Sequence, residues 1–107
     1  MKYPVTQHLD YAVLALSGEI DLNESPNARK QILNCIKKST NLLVDLSAVE
    51  YIDSSGVASL VEGLQSSRAK KLDFALVGVS ASAMQVLQLA RLDSVFTIYD
   101  SLDDVKS

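Results

Sequence analysis

The chain has 107 residues, which is enough for one domain and too few for two. It is 48% hydrophobic and 21% charged, as globular chains are, and its formal net charge of -3 argues against a nucleic-acid-binding protein. A single cysteine, Cys35, excludes an internal disulfide and fits a buried helix position. No signal peptide or membrane span is recognisable, so we expect a cytoplasmic protein without membrane insertion.

The first third of the chain predicts two strands and a helix. The strands cover 2–7 and 11–16, and the turn between them contains His8, whose side chain we expect to be solvated. These two strands should form an antiparallel edge unit. Ser25 before Pro26 predicts the N-cap and first residue of the first helix.

The remaining elements alternate between strands and helices. A strand at 42–46 and a connecting loop lead to a helix at 55–70, and a strand at 72–78 leads to a helix capped by Ser80 or Ser82. A last strand at 95–99 precedes a capping box at Ser101, which predicts a short C-terminal helix. The order ββαβαβαβα favours an α/β fold with a largely parallel sheet.

Catalytic and metal sites find little support in the sequence. The sole histidine, His8, lies far along the chain from any serine in a suitable motif, and neither a nucleophile elbow nor a glycine-rich phosphate loop occurs. Asp21, Asp45 and Asp53 could share a hard-cation site, but each also suits a capping or turn role. We therefore expect no enzyme activity, no metal and no cofactor.

The segment Asp53-Ser54-Ser55-Gly56 stands out because it opens the second helix with three candidate caps. A helix needs one cap, so another hydroxyl is left free for modification. The unpaired N–H groups and the positive end of the helix dipole stabilise an anion at this position. Taken alone, the segment leaves two interpretations open: three alternative caps, or one cap and a serine that is free to be modified.

The chain resembles the bacterial STAS domains, the family of anti-sigma factor antagonists. The resemblance is strongest over 45–60, DLSAVEYIDSSGVASL, and extends to Gly18-Glu19-Ile20-Asp21 and to the later strands and helices. It covers nearly the whole chain, so a single STAS domain over 1–107 is expected. The implied fold is a mixed, mostly parallel sheet with helices packed mainly on one side.

The resemblance also implies a function. In that family the first serine after the aspartate, here Ser54, is phosphorylated by a partner that is both serine kinase and anti-sigma factor. The unmodified protein binds this partner and releases the sigma factor, and a PP2C-type phosphatase resets the switch. Asp21, Asp53, Ser55 and Gly56 match the positions around the acceptor, so they are expected to form the partner-binding switch surface.

Two points stay open at this stage. Some STAS proteins are small subunits of lipid-transporting ABC systems, where the domain is a structural or regulatory clamp and no kinase is needed. The family also often ends its third helix with a glycine just before the position of Leu92, where this chain has Arg91. We expect that helix to stop at Asp93-Ser94 instead.

Overall fold

The computed structural model describes residues 2–106 and contains five strands and three α-helices. The strands are β1 (Val5–His8), β2 (Tyr11–Ile20), β3 (Asn41–Ile52), β4 (Phe74–Val77) and β5 (Thr97–Tyr99). The helices are α1 (Ser25–Lys37), α2 (Ser54–Ala69) and α3 (Ala81–Leu89), and a short 3₁₀ helix covers Leu102–Asp104. The expected alternation of strands and helices is confirmed, with the last helix reduced to one 3₁₀ turn.

The strands form one sheet in the order β1-β2-β3-β4-β5. The edge strand β1 pairs antiparallel with β2, and every other neighbouring pair is parallel. Parallel strands need a crossover, and α1, α2 and α3 supply the three crossovers. The predicted mixed, mostly parallel sheet with an antiparallel edge unit is therefore correct.

The two faces of the sheet are covered differently. The larger core lies between the sheet and the helices, where Leu14, Ile32, Leu42 and Leu60 are almost completely buried. On the other face, a smaller apolar cluster around Leu43 is covered by the C-terminal segment through Val105. The helices thus pack mainly on one side, as the family resemblance implies.

The central strands β2 and β3 are longer than the sequence indicates. The pattern predicts a strand at 42–46 and then a loop, but β3 continues to Ile52, so the predicted loop is wrong. The reason is that β2 also continues to Ile20 and pairs with β3 along this extension, with two register shifts. Both strands consequently end next to α2, which places their last residues around the start of that helix.

The start of α1 differs from the prediction. Ser25 is a buried first residue and not the N-cap, which is Glu24 without a side-chain hydrogen bond. The Glu24 carbonyl accepts hydrogen bonds from the N–H groups of Asn27 at 2.9 Å and Ala28 at 3.2 Å. Asp21 fixes the loop before the helix, because its Oδ1 accepts from the N–H groups of Asn23 and Glu24, both at 3.0 Å. The prediction of Ser25 as the cap is therefore wrong.

The end of α3 is also different. The helix ends at Leu89, and Arg91 has a φ of 59°, in the left-handed region that glycine usually occupies at this position. The N–H of Leu92 donates to the carbonyl of Leu87 at 2.8 Å, which closes the last turn. The predicted stop at Asp93-Ser94 is wrong, because Arg91 adopts the strained conformation itself.

Two smaller predictions concern His8 and Ser101. His8 belongs to β1 and is half-buried, with an Nε2 atom that has no hydrogen-bond partner within residues 2–106, so the expectation of a solvated side chain is wrong. The capping box at Ser101 is present, with Asp104 as its acidic residue. None of the helices in the described part of the chain has the length and apolar character that crossing a membrane requires.

Candidate functional site

The candidate site lies where β2 and β3 end and α2 begins. Ile20 and Ile52 are paired at the last position of the two strands, and the N–H of Asp53 donates to the carbonyl of Ile20 at 3.3 Å. This parallel pairing brings the loop after β2, with Asp21, next to the start of α2, with Ser54. The fold therefore brings Ser54 together with the four residues that are expected to form the switch surface, Asp21, Asp53, Ser55 and Gly56.

Asp53 is the N-cap of α2. Its backbone is extended, with φ -109° and ψ -172°, and its Oδ1 accepts hydrogen bonds from the N–H groups of Ser55 at 2.9 Å and Gly56 at 3.2 Å. The Ser55 hydroxyl donates to the same oxygen at 2.5 Å. Of the three candidate caps, one therefore serves as the cap and a second is bonded to it.

Ser54, the third candidate, is the first residue of α2 and is exposed. The cap hydrogen bonds are made by Asp53 and Ser55, so the Ser54 hydroxyl is not needed to close the helix end. It lies at the positive end of the helix dipole. A group transferred to this oxygen would extend into solvent without breaking a cap.

The carboxyl group of Asp53 is held in its charged form. The hydrogen bond from the Ser55 hydroxyl lowers its pKa most, desolvation opposes this, and the backbone N–H groups of Gly56, Ser55 and Leu22 lower the pKa further. The net result is a pKa below the usual value for aspartate. A fixed negative charge therefore adjoins Ser54 at neutral pH.

Asp21 is partly buried in the loop between β2 and α1. Its side chain is committed to the backbone of Asn23 and Glu24, and its carbonyl accepts from the N–H of Ser25 at 2.8 Å. The loop is thus fixed by its own hydrogen bonds. Asp21 contributes a second carboxylate near the start of α2, and that carboxylate has a structural task as well.

Gly56 is buried and allows α2 to approach the ends of β2 and β3. A Cβ atom added to it would lie 2.6 Å from Ile52 Cγ1, 2.9 Å from Ile20 Cγ2 and 2.9 Å from the Ile20 carbonyl oxygen. Real Cβ contacts are longer than this, so no larger residue fits without moving the backbone. The glycine thus lets the start of α2, with Ser54, pack closely against the end of β2, just before the loop that holds Asp21.

The sequence did not single out four other residues at this end of the sheet. Glu19 and Glu50 are exposed near the ends of β2 and β3, and Leu22 and Tyr51 are exposed apolar side chains with 74% and 50% of their surface accessible. Their exposure follows from the extension of β2 and β3 beyond the predicted ends. No pattern within the sequence marks it.

Catalytic and metal chemistry find no supporting arrangement. His8 is the last residue of β1 and pairs with Tyr11 at the start of β2, whereas Ser54 follows the far end of β3, so His8 is not placed to act as its base. Within residues 2–106, no three His, Cys, Asp or Glu side chains are close enough together to hold a metal ion. What the described residues present here is an exposed serine beside a capped helix end.

Comparisons with known proteins agree with this geometry. A family model described as "STAS domain" matches residues 2–105. The anti-sigma-F factor antagonist RsfB of Mycobacterium tuberculosis is 29% identical over 101 residues, covering 94% of this chain and 82% of that protein. The crystal structure of an anti-sigma factor antagonist from Mycobacterium paratuberculosis has a TM-score of 0.83 at 30% identity and covers 96% of this chain and 88% of that one.

More distant structures share the fold. SpoIIAA, an anti-sigma factor antagonist, has TM-scores of 0.79 in its unphosphorylated form and 0.73 in the phosphorylated form from Bacillus. Both are 18% identical and cover 95% of this chain, and this chain covers 90% and 94% of theirs. The match of the family model over nearly all residues decides the classification, and the chain belongs to the STAS domain family.

Proposed function

We propose that this chain is an anti-sigma factor antagonist whose binding to its partner is switched by phosphorylation of Ser54. The observation that carries the proposal is the exposed Ser54 hydroxyl beside a helix end that Asp53 already caps. The names of RsfB and of the M. paratuberculosis protein support the same function class. The chain acts as a substrate and binding protein, not as an enzyme.

The fold should tolerate phosphate on Ser54. The added group carries about -1.5 to -2 charges at neutral pH and is placed where helix N–H groups and the dipole favour an anion. Ser54 is exposed, so the phosphate remains hydrated and displaces no core residue. SpoIIAA has the same fold in both phosphorylation states, which supports the expectation that only the surface changes.

Phosphate on Ser54 should affect the binding of a partner much more than it affects the fold. On contact, the phosphate would be removed from water and placed near the carboxylates of Asp53 and Asp21. Uncompensated charge at an interface costs several kcal/mol, and about 1.4 kcal/mol already changes affinity tenfold. Phosphorylation can therefore abolish binding without unfolding either protein.

The proposed partner is a serine kinase that is also the anti-sigma factor. It supplies ATP, the metal ion and the catalytic base, so the acceptor chain needs only a reachable hydroxyl. The unphosphorylated chain binds this partner in the cytoplasm and frees the sigma factor, and a PP2C-type phosphatase restores Ser54. Asp21, Asp53, Ser55 and Gly56 then form the surface that the partner reads.

The test is to incubate the chain with the anti-sigma factor kinases of its host and ATP, and to locate the phosphate by mass spectrometry. We expect one phosphate on Ser54 and none on the Ser54→Ala variant. Ser82→Ala is the matched control, because Ser82 is an exposed serine in the first turn of α3. Phosphate that persists in Ser54→Ala would refute the assignment.

A further inference from the structure

Two exposed apolar side chains flank the start of α2. Tyr51 lies three residues before Ser54 in β3, next to buried Ile52, so it projects from the sheet face opposite the helices. Leu22 lies in the loop after β2, and its N–H is close enough to the Asp53 carboxylate to lower the pKa of that group. Ser54 therefore has an apolar side chain on the strand side and another on the loop side.

Leu22 and Tyr51 are among the exposed large apolar side chains of residues 2–106. Leu22 has 74% of its surface accessible and Tyr51 has 50%, and each lies within two residues of one that is almost completely buried, Ile20 and Ile52 respectively. Other exposed apolar residues, such as Leu89 at the end of α3, lie at the opposite end of the sheet. The pair around Ser54 is not required by the core and gains from being covered.

The charges around this pair have one sign. Glu19, directly paired with Tyr51, and Glu50 are exposed, and Asp21 and Asp53 are within two residues of Leu22 and Tyr51 in the chain. Among residues 2–106, the ion pairs are Lys2 with Glu24 and Arg29 with Glu62, so these four carboxylates have no cationic partner in the described structure. A partner that covers the surface must bring positive charge to its rim.

We infer that Leu22 and Tyr51 are the apolar anchors of the partner interface and that they enter recesses on an anti-sigma factor whose rim is basic. The inference rests on the proposed function and adds which residues supply the affinity. Tyrosine is among the residues that most often dominate interfaces, and a charged rim around an apolar centre is the usual arrangement. The phosphate on Ser54 would arise between the two anchors, where it blocks both from seating.

The experiment measures the affinity of the unphosphorylated chain for the host anti-sigma factor that binds it, by titration calorimetry at low and high salt. We expect Tyr51→Ala to weaken binding by at least about tenfold and Leu22→Ala by about threefold to tenfold. Leu89→Ala is the matched control, because Leu89 is 80% exposed at the other end of the fold, and it should bind like the wild type. Binding should weaken as salt increases, because the carboxylates attract a basic rim.

The outcomes separate the two proposals. If the wild-type chain binds no anti-sigma factor of its host, the proposed function fails and the anchors fail with it. If the wild type binds and Tyr51→Ala and Leu22→Ala bind equally well with unchanged melting temperatures, only the inference about the anchors is overturned. A loss of affinity in Leu89→Ala, or affinity that increases with salt, would also contradict it.

Discussion

The N-termini of α2 and α3 are built in the same way, but a serine caps α3 while the serine at the start of α2 follows an aspartate cap. Each helix follows a parallel strand of the sheet and begins after an extended residue whose side chain accepts from the backbone. In α3 that residue is Ser80, whose hydroxyl accepts from the N–H of Ala83 at 3.2 Å and donates to the carbonyl of Val49 at 2.8 Å. In α2 the cap is Asp53, and the next residue, Ser54, is exposed.

The difference shows how a helix end becomes available for modification. A serine that caps a helix has its hydroxyl committed, so transferring a group to it would break the cap. When an aspartate caps the helix, the following serine keeps the favourable dipole without a structural task. A serine next to a capped helix end is therefore a better acceptor than a capping serine.

Of the variants that compare the two helix ends, Gly56→Ala should lose the most unfolding free energy. The third residue of α2 is Gly56 and the third residue of α3 is Ala83, and both are buried. Alanine fits in α3, but at Gly56 its Cβ would be 2.9 Å from the Ile20 carbonyl oxygen, so we expect a loss of about 2–3 kcal/mol in unfolding free energy. Urea unfolding measures it, with Ala83→Gly as the control, expected to cost about 1 kcal/mol.

Removing the cap of α2 and removing the cap of α3 should cost a similar amount of stability. We expect Asp53→Ala and Ser80→Ala each to lower the unfolding free energy by about 1–2 kcal/mol, because each leaves helix N–H groups without an acceptor. Ser54→Ala should change it by less than about 0.5 kcal/mol. Chemical denaturation of the three variants tests this, and a loss for Ser54→Ala equal to that for Asp53→Ala would refute the assignment of caps.

The two caps should also differ in their dependence on pH. The pKa of Asp53 is lowered in the folded state, so its stabilising effect is present above the unfolded pKa, near pH 4, and is lost as pH falls through the lower folded value. The serine cap of α3 does not titrate in this range. Wild type should therefore be more stable than Asp53→Asn at pH 7, and the difference should shrink in urea unfolding as pH falls below about 4.

The C-terminal ends of α2 and α3 are alike, and substitutions there should change the unfolding free energy least. Lys71 after α2 and Arg91 after α3 both have left-handed φ values, 60° and 59°. Replacing either with glycine should raise the unfolding free energy by about 0.5–1 kcal/mol, because glycine adopts this conformation without strain. Thermal unfolding of Lys71→Gly and Arg91→Gly measures it, and destabilisation of both variants would contradict the expectation.

Much of the fold could be predicted from the sequence because periodicity and turn residues report local preferences. Helix stripes and apolar strands located every main element, and the capping box at Ser101 was found from four residues. The extension of β3 to Ile52 could not be predicted, because it depends on pairing with β2 across two register shifts. Ser25 was wrongly predicted as the N-cap for a similar reason, since the loop that Asp21 holds places Glu24 at that position.

The candidate site was predicted in part. The segment Asp53-Ser54-Ser55-Gly56 marks it, but three adjacent side chains can each cap a helix, and only the extended backbone of Asp53 decides among them. The close contact between Gly56 and Ile20 joins residues far apart in sequence. Leu22 and Tyr51 gave no signal, because their exposure follows from where β2 and β3 end.

The most direct test of the switch is the affinity of the anti-sigma factor for the chain with and without phosphate on Ser54. Titration calorimetry on both forms, with melting temperatures measured in parallel, separates binding from folding. We predict that phosphorylation weakens binding by at least about tenfold and leaves the melting temperature nearly unchanged. Equal affinities for the two forms would contradict the account.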